Sequence, residues 1–372
     1  MRHLPFALVA ASALATLPAQ DLLRYRFEAG CGSQVINFAA NSPAPNEGTI
    51  VTNFAGAPAT SWTSGQFGLG LEGASLVAPA THNYVDTGWV PGTITGSMTW
   101  ATWLKMDPAA PTPGLTYVFG NGTTFRVFTG GGGFFLTSGW GSSNVNTVAN
   151  IQTLARAGWT HLACVLDGTT LQAQYFVNGV PENPITMTTA VNWTGANFFV
   201  GKQSGLTNAN IFDLDDFVLV NRAMSAAEIG VLATAPYAAD GRFGSTCGPL
   251  LQGNGQLPTV GNGAYAFSVS GPQTGFCWVL FGYNRCTIAG GSLPLPVDLG
   301  VFEPGLAGCL GHVDNDVGAL STVLVGGVAN FGFPLPPWPG LAGINLYGQG
   351  ITLDGATAQL RASNALAIGV GL

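Results

Sequence analysis

The sequence has few charged side chains and almost no lysine. Lys and Arg together number 11 and Asp and Glu 18, so charged residues make up 8% of the 372 residues, against about 25% in an ordinary soluble domain. Lys105 and Lys202 are the two lysines. Without clustered Lys and Arg a chain cannot neutralise a phosphate backbone, which excludes nucleic acid as a partner. The scarcity of charged helix-forming residues also favours β structure over helices.

Several patterns that carry chemistry are missing. The glycine run Gly130–Gly133 is not followed by G-K-[ST], so it is not a phosphate-binding loop. No G-x-S-x-G nucleophile pattern occurs. The sequence has four histidines, and one of them lies in the leader described next, which leaves little material for acid–base chemistry near neutral pH.

The first twenty residues are typical of a secretory signal peptide. Met1–His3 is a short basic head, Leu4–Leu17 is apolar, and Ala13-Leu14-Ala15 supplies a small-x-small cleavage pattern. Nowhere after this leader do 18 apolar residues run without interruption, so no membrane insertion is expected. We therefore expect residues 1–20 to be removed and the mature protein to be secreted, in the extracellular space or at a cell surface.

The six cysteines fit an oxidising compartment. Their spacing matches no zinc pattern, since C-x-x-C is absent. The four in the last third favour disulfides Cys277–Cys286 and Cys247–Cys309, although four cysteines allow three pairings. Cys31 and Cys164 either pair with each other or stay free.

What is abundant points to short strands and tight turns. There are 54 glycines and 23 prolines, with hydrophobic residues at 47%. Hairpin turns are indicated by Asp167-Gly168 and Asn178-Gly179, because such pairs supply the positive φ values that tight hairpins need. Ser225 and Glu228 form a capping-box pattern that predicts one short helix, ended by Pro236. Many short strands with regular turns predict a β-sandwich or jelly roll.

Five motifs carry a family resemblance, and they occur in a fixed order. They are SMTWATWLK (97–105), WTHLA (159–163), YFVNG (175–179), FVG (199–201) and FDLDDFVLVNRAMSAAE (212–228). Residues 21–236 thereby resemble the laminin-G-like, concanavalin A-like jelly-roll domain of many secreted bacterial proteins. The resemblance implies two packed antiparallel sheets, binding of glycans or proteins, and often a structural calcium ion. The alternating acids E-x-D-x-x-E of the sugar-cleaving members are absent here.

Residues 237–372 differ in composition. Proline-rich turns recur, as in Pro334–Pro339, and the four cysteines of the last third lie here. Strands are expected at Phe276–Gly282, Gly318–Val328, Ile344–Tyr347 and Leu366–Val370. We predict a second β-sandwich domain stabilised by disulfides.

An acidic run is the strongest polar cluster. Asp213 and Asp215 fall on one face of a predicted strand and Asp216 on the other. Three carboxylates within four residues repel one another unless a cation offsets them, and such oxygens suit calcium. The resemblance places this run near the family's metal and the first strand, where Glu28 could join. The alternative is an ion pair of Asp215 or Asp216 with one of the arginines Arg24, Arg26 and Arg222.

Other polar or aromatic residues have two interpretations each. Trp140 and Trp193 fall near loops beside Gly, Asn or Ser and are predicted to stack on ligand sugars, although most tryptophans of a sandwich fill its core. His161 is expected to be a core residue bonded to a backbone group. His312, Asp314 and Asp316 could bind a transition metal if extended, or form a solvated turn.

Three functions are compatible with these features. The first is a secreted, non-catalytic binding protein that recognises extracellular glycan or a surface component through the laminin-G-like domain. The second is a structural or adhesive module that contacts cell-surface proteins and has no sugar site. The third, a glycoside-active enzyme, is disfavoured by the missing acids.

Overall fold

The protein is an all-β molecule, as predicted. The computed structural model describes residues 21–39, 42–52, 62–73, 83–110, 115–122, 125–130, 132–140, 143–203, 211–288 and 290–372. The predicted leader, residues 1–20, lies outside these ranges. Within them, no helix has the length and apolar character needed to span a membrane.

The strands and helices of the described ranges fall into two series. The first series is β1 (Asp21–Tyr25), β2 (Gln34–Ile36), β3 (Glu47–Thr52), β4 (Trp62–Ser64), β5 (Leu69–Leu71), β6 (Asn83–Asp86), β7 (Ile94–Gly96), β8 (Met98–Met106), β9 (Leu115–Asn121), β10 (Phe125–Gly130), β11 (Phe135–Trp140), β12 (Ser143–Asn146), α1 (Ile151–Ala157), β13 (Thr160–Asp167), β14 (Gln172–Val177), β15 (Val180–Pro181), β16 (Ile185–Thr186), β17 (Val191–Trp193), β18 (Phe198–Val200), β19 (Phe212–Val220) and α2 (Ala226–Leu232). The second series is β20 (Ala239–Phe243), β21 (Leu250–Gly253), β22 (Ala266–Ser270), β23 (Thr274–Gly282), β24 (Thr287–Ile288), β25 (Leu293–Pro294), β26 (Val297–Asp298), β27 (Leu310–Gly311), β28 (Gly318–Val325), β29 (Val328–Gly332), β30 (Asn345–Asp354) and β31 (Leu360–Gly369), with short 3-10 turns at Leu299–Val301, Pro304–Leu306 and Pro339–Leu341.

The first series builds two antiparallel sheets. The nine-stranded sheet has the order β15-β14-β13-β8-β19-β5-β4, with β1 added beside β19 and β16 beside β14. The eight-stranded sheet has the order β12-β11-β10-β9-β18-β6-β3-β2. Trp100 of the first and Phe119 of the second meet at 5.5 Å between ring centres, and Phe217 lies at the same distance from Phe119. The two sheets therefore form a sandwich, as alternation of apolar residues predicts.

The second series builds one large sheet, called here the C-terminal sheet. Its order is β20-β31-β30-β23-β28-β29-β22-β21. Asn364 of β31 bonds both backbone groups of Leu251 in the far edge strand β21, at 2.9 and 3.0 Å. The sheet therefore curls back on itself and encloses its own apolar core, which includes Phe267, Val279 and Phe331.

A third apolar cluster joins the two parts. Ala163 and Val218 of the nine-stranded sheet pack in one buried cluster with Ile229 of α2 and with Tyr347 and Ala365 of the C-terminal sheet. Helix α2 has the predicted capping box, in which the Ser225 hydroxyl accepts from the Glu228 N–H and the Glu228 carboxylate accepts from the Ser225 N–H. A seven-residue helix is marginal alone, so its packing into this cluster holds it in place.

One disulfide prediction is wrong. The structure has the favoured Cys247–Cys309 bond, but Cys286 bonds to Cys31, across 255 residues of sequence, instead of to Cys277. Cys277 lies in the middle of β23 with its side chain in the core of the C-terminal sheet, so it cannot reach a residue beyond the end of that strand. Cys164 and Cys277 are both buried and unbonded.

Candidate functional site

The outer face of the nine-stranded sheet is largely closed. Its outward side chains, which include Ala101, Val165 and Val220, belong to the cluster shared with α2 and the C-terminal sheet. A ligand therefore cannot lie across this face without displacing the apolar junction. On the opposite surface of the sandwich, the outward side chains of β6, β9, β10 and β18 do not belong to this cluster.

The outer face of the eight-stranded sheet has one lysine set over two aromatic rings. Tyr84 of β6 and Phe199 of β18 are edge to face at 5.7 Å between centres. The Lys202 ammonium lies 4.5 Å from the centre of the Tyr84 ring and 5.5 Å from that of Phe199. At these distances the cation is attracted to the negative faces of the rings.

Gly201 places that lysine. It follows β18 directly and has a φ of +84°, a left-handed conformation that costs glycine nothing. A Cβ atom at this position would lie 3.1 Å from the carbonyl oxygen of Asn83 and 3.3 Å from the Cα of Tyr84. The Gly201 N–H donates to the Val118 carbonyl at 2.6 Å, so the turn is held between two neighbouring strands while Lys202 folds over Tyr84.

A second cation and aromatic pair lies farther along the same face. The Arg126 guanidinium lies 5.0 Å from the centre of the Phe128 ring, and that ring lies 5.5 Å from Tyr117. Arg126 and Phe128 alternate with the core residues Phe125 and Val127 along β10, so both point outward.

The two pairs are joined through Gln203. The Arg126 Nη1 donates to the Gln203 Oε1 at 3.5 Å, and Gln203 follows Lys202 in the chain. Gly120, opposite Arg126 in the register, leaves room for this side chain, since a Cβ there would lie 3.1 Å from the Gln203 Cγ. We call this surface the aromatic–cation face; its residues are Tyr84, Tyr117, Arg126, Phe128, Phe199, Lys202 and Gln203.

The aromatic–cation face combines ring surfaces with hydrogen-bond donors. Burial raises the pKa of both Tyr84 and Tyr117, so both phenols stay neutral. Tyr84 is half-buried and keeps its O–H donor at the surface, whereas Tyr117 is 2% exposed and supports the Phe128 ring. Lys202 and Arg126 add cationic donors, and Asp86, paired with Phe199 in the register, is the nearby acid. A sugar ring can stack its apolar face on an aromatic ring, and its hydroxyl oxygens can accept hydrogen bonds. This surface provides partners for both contacts.

The predicted sugar-stacking role of Trp193 is wrong. Its side chain is 2% exposed and lies in the core, parallel to Phe125 at 5.2 Å and edge to face with Trp89 at 6.4 Å. The short strand β17, paired with β7, turns the ring inward. Trp140 ends β11, but its side chain lies outside the described residues.

The acidic run is used to hold a hairpin. Asp215 accepts from the Phe67 N–H at 3.0 Å, Asp213 from the Gly73 N–H at 3.0 Å, and Glu28 from the Leu69 N–H at 3.1 Å. These carboxylates therefore fix the β4–β5 segment against β19 and the end of β1. The bond of Asp215 to the turn before β5 explains its burial without a metal.

The described residues do not fit the predicted calcium ion. Nowhere in the ranges given above do three or more His, Cys, Asp or Glu side chains form a group that could hold a metal. Asp213 faces Lys105, Glu72 and Asp107, whereas Glu28 and Asp215 interact with Asp216. Asp213 therefore stands apart from the other three predicted ligands.

A protein cation stands beside the remaining acids. Asp216 interrupts the β8–β19 register, with a φ of +44°, and is buried near Arg26, which is fully buried. Burial raises the pKa of Asp216 to about 7, against the opposing effect of Arg26 and Arg24. The arrangement therefore resembles the predicted alternative, in which an arginine lies beside the acid. Among the described residues, however, no arginine nitrogen lies within 4.0 Å of an Asp216 oxygen.

The two histidines of the described ranges take structural positions. His161 is buried edge to face with Trp103 at 5.2 Å, and burial lowers its pKa to about 3, so it is neutral. The expected backbone bond is not seen at its Nδ1 among the described contacts. His312 accepts from the Ser245 N–H at 3.1 Å, and Asp316 accepts from the Tyr283 N–H at 3.0 Å, so the second candidate metal set forms turns.

The aromatic–cation face was not predicted from the sequence. The signal was nonetheless present: alternation in Phe125–Gly130 puts Arg126 and Phe128 on one face, and Lys202 is one of two lysines in the chain. Tryptophans beside loop-forming residues form a more conspicuous pattern in the sequence than tyrosine and phenylalanine within strands.

A comparison with protein families finds a match within the sandwich. Residues 79–230 match the family model Laminin_G_3, described as the concanavalin A-like lectin/glucanases superfamily. This stretch, which is less than half of the chain, is thus similar to laminin-G-like domains. The match begins just before β6 and ends within α2, so the aromatic–cation face lies inside it and the C-terminal sheet lies outside. A comparison with curated proteins finds no match.

The solved structures that resemble this chain are remote in sequence. One is botulinum neurotoxin type C, described with two ganglioside molecules (8% identity, TM-score 0.42, 68% of this chain and 62% of that one). Another is domain 4 of AbnA, a GH43 extracellular arabinanase from Geobacillus stearothermophilus, in complex with arabinotriose (20% identity, TM-score 0.41, 58% of this chain and 99% of that one). A third is the binding domain of botulinum neurotoxin DC in complex with rat synaptotagmin II (8% identity, TM-score 0.41, 75% of this chain and 70% of that one). The chain thus covers less than two thirds of the type C neurotoxin chain.

Proposed function

We propose that the protein is a secreted, non-catalytic binding protein that recognises extracellular glycan through the aromatic–cation face. The observation that carries the proposal is the placement of Lys202 over Tyr84 and Phe199, contiguous through Gln203 with Arg126. The family description, which includes lectins, supports the same ligand class. Two disulfides support an extracellular location.

Binding on this face needs no calcium. The rings of Tyr84 and Phe128, which are partly exposed, bury apolar area against the sugar, while Lys202 and Arg126 donate to its hydroxyl groups. Gln203 is 1% exposed and holds Arg126 in place from below the surface. The two cations also suit a carboxylate on an acidic sugar. The acids of the run 213–216 bind backbone N–H groups or lie beside arginines, so they are not assigned a catalytic role.

The test uses the two lysines of the chain as a matched pair. Lys202→Ala removes the ammonium from the aromatic–cation face. Lys105→Ala removes the other lysine, which lies 5.8 Å from the Trp159 ring, outside that face. The intact protein and both variants are applied to an array of neutral and acidic glycans.

We expect glycan binding by the intact protein and by Lys105→Ala, and binding at least about tenfold weaker for Lys202→Ala, as for loss of a charged hydrogen bond. Arg126→Ala is expected to act in the same direction. An intact protein that binds no glycan, but captures a cell-surface protein, would favour the adhesive alternative. Equal binding by Lys202→Ala and Lys105→Ala would place the glycan elsewhere.

A further inference from the structure

The C-terminal sheet has an exposed apolar surface of its own. Along β23 the side chains of Cys277, Val279 and Phe281 lie in the core. Because successive side chains of a strand point to opposite faces, Phe276 and Trp278 point outward. The same alternation on β28 buries Leu324 and turns Val323 and Val325 outward.

Most of these outward side chains are open to solvent, and Trp278 is half-buried. Phe276 is 53% exposed and Val325 is 74% exposed. The rings of Phe276 and Trp278 lie 6.1 Å apart with an angle of 27° between their planes. The two rings are therefore held close to parallel on a solvent-facing part of the sheet.

The register makes the surface continuous across both strands. Phe276 is opposite Val323, Trp278 is opposite Ser321, and Thr274 is opposite Val325. Directly opposed side chains lie on the same face of a sheet. We call this surface the uncharged platform; its residues are Thr274, Phe276, Trp278, Ser321, Val323 and Val325.

The charged residue nearest to the platform in the sheet pairing is Asp354 of β30, opposite Gly275, and its carboxylate accepts from the Ala356 N–H and the Thr357 hydroxyl. The five adjacent strands β23, β28, β29, β22 and β21 contain no Asp, Glu, Lys or Arg. Their polar residues are hydroxyls and amides. An anionic lipid surface or a charged peptide would lose hydration here without gaining an ionic partner.

The other half of the same face is already covered. Ile351, opposite Trp278 on β30, and Leu360 of β31 pack against Leu299 and Leu306 of the 3-10 segment. The platform is thus the part of this face that the chain's own described segments leave open. Natural proteins seldom expose such strands without a use.

We propose that the uncharged platform binds the flat face of a neutral polysaccharide chain. Parallel rings match the apolar faces of successive sugar rings, and Ser321 and Thr274 offer hydroxyls to the ring edges. The absence of charge complements a ligand that has none. This inference takes its ligand class, a glycan, from the proposed function, but it assigns that ligand to a separate surface.

The experiment measures depletion of the full-length mature protein from solution by insoluble neutral polysaccharides, with cellulose, chitin and xylan as the probes. Phe276→Ala removes an exposed ring, and Val325→Glu adds a charge at a solvent-facing position, so neither disturbs the core. Trp338→Ala is the matched control, because Trp338 is 66% exposed and lies outside the strands of the C-terminal sheet. Lys202→Ala tests independence from the aromatic–cation face.

We expect binding to at least one of these polysaccharides, reduced about two- to tenfold by Phe276→Ala and at least as much by Val325→Glu. Trp338→Ala and Lys202→Ala are expected to bind as the wild type does. No retention of the wild type, or equal retention of Phe276→Ala, overturns the proposal. A dimer in sedimentation velocity that Val325→Glu dissociates, without polysaccharide binding, would assign the platform to a second copy of the chain. If Lys202→Ala loses binding on the glycan array but is still depleted by the polysaccharide, both proposals are supported. The two assays therefore test the two surfaces separately.

Discussion

The guanidinium of Arg26 and the carboxylate of Asp216 are both buried, and neither has a hydrogen-bond partner among the described residues. Arg26 nevertheless lies close enough to Asp216 and Glu28 to lower the pKa of each, against the larger effect of burial. Gly369 of β31 makes room for Arg26, because a Cβ there would overlap the guanidinium. A protein cation thus sits beside the acids at the junction of the sandwich and the C-terminal sheet.

The first prediction concerns stability against pH. Burial raises the pKa of Glu28 to about 8 and that of Asp216 to about 7, above the value of about 4 in an unfolded chain. The folded state therefore holds protons that the unfolded state releases, and this stabilisation is full below the unfolded pKa and lost as the pH rises through the folded pKa. We expect the free energy of unfolding, measured in urea, to fall between pH 5 and pH 8.

Glu28→Gln should flatten this decline, because its amide cannot titrate. The same change at exposed Glu72 is the control and should leave the slope as in the wild type. A free energy of unfolding that rises over this range would contradict the raised pKa values.

The second prediction concerns calcium. Since Asp213 stands apart from the other three predicted ligands and Arg26 lies beside Glu28 and Asp216, we expect the melting temperature to be the same in millimolar calcium and in chelator. A rise that chelator reverses and that Asp215→Ala abolishes would show that a calcium site exists after all.

The third prediction concerns the two disulfides. Removing Cys31–Cys286 by a pair of serines should lower the free energy of unfolding by about 2–4 kcal/mol. The control is the serine pair at Cys247 and Cys309. Its sequence separation is 62 against 255, so the chain-entropy model predicts a loss smaller by about 1 kcal/mol. Urea denaturation with reversible refolding measures both, and a larger loss in the control would contradict the model.

The fourth prediction separates core from ligand contact at Trp193. Trp193→Ala should destabilise the protein by about 3–5 kcal/mol, as for other large buried side chains. Trp193→Phe keeps a ring against Phe125 and should cost less. Thermal melts measure the loss, and glycan binding by the folded Trp193→Phe variant should equal that of the wild type. If Trp193→Phe binds glycan more weakly at unchanged stability, Trp193 contacts the ligand after all.

Much of the fold could be predicted from local pattern. Alternation along β13 places Leu162 and Leu166 in the core, and the capping box at Ser225 marks the start of α2. Both signals depend on residues a few positions apart, which local geometry relates directly.

What could not be predicted depends on distant pairing. Asp216 leaves strict alternation because a bulge in the pairing with β8 turns it toward Arg26. Trp193 sits among polar residues in sequence, but the pairing of β17 with β7 sends its ring inward onto Phe125. Neither outcome is encoded within a few residues of the side chain concerned.

The long span between Cys31 and Cys286 also bears on how the molecule matures. As a nascent chain grows from its N-terminus, Cys31 emerges while its partner is 255 residues from being made. Cys164 is the thiol that comes next, and its burial in the sandwich core removes it as a wrong partner once that core forms. We therefore expect the sandwich to close before this bond forms, so that the bond joins an already folded N-terminal part to residues made later.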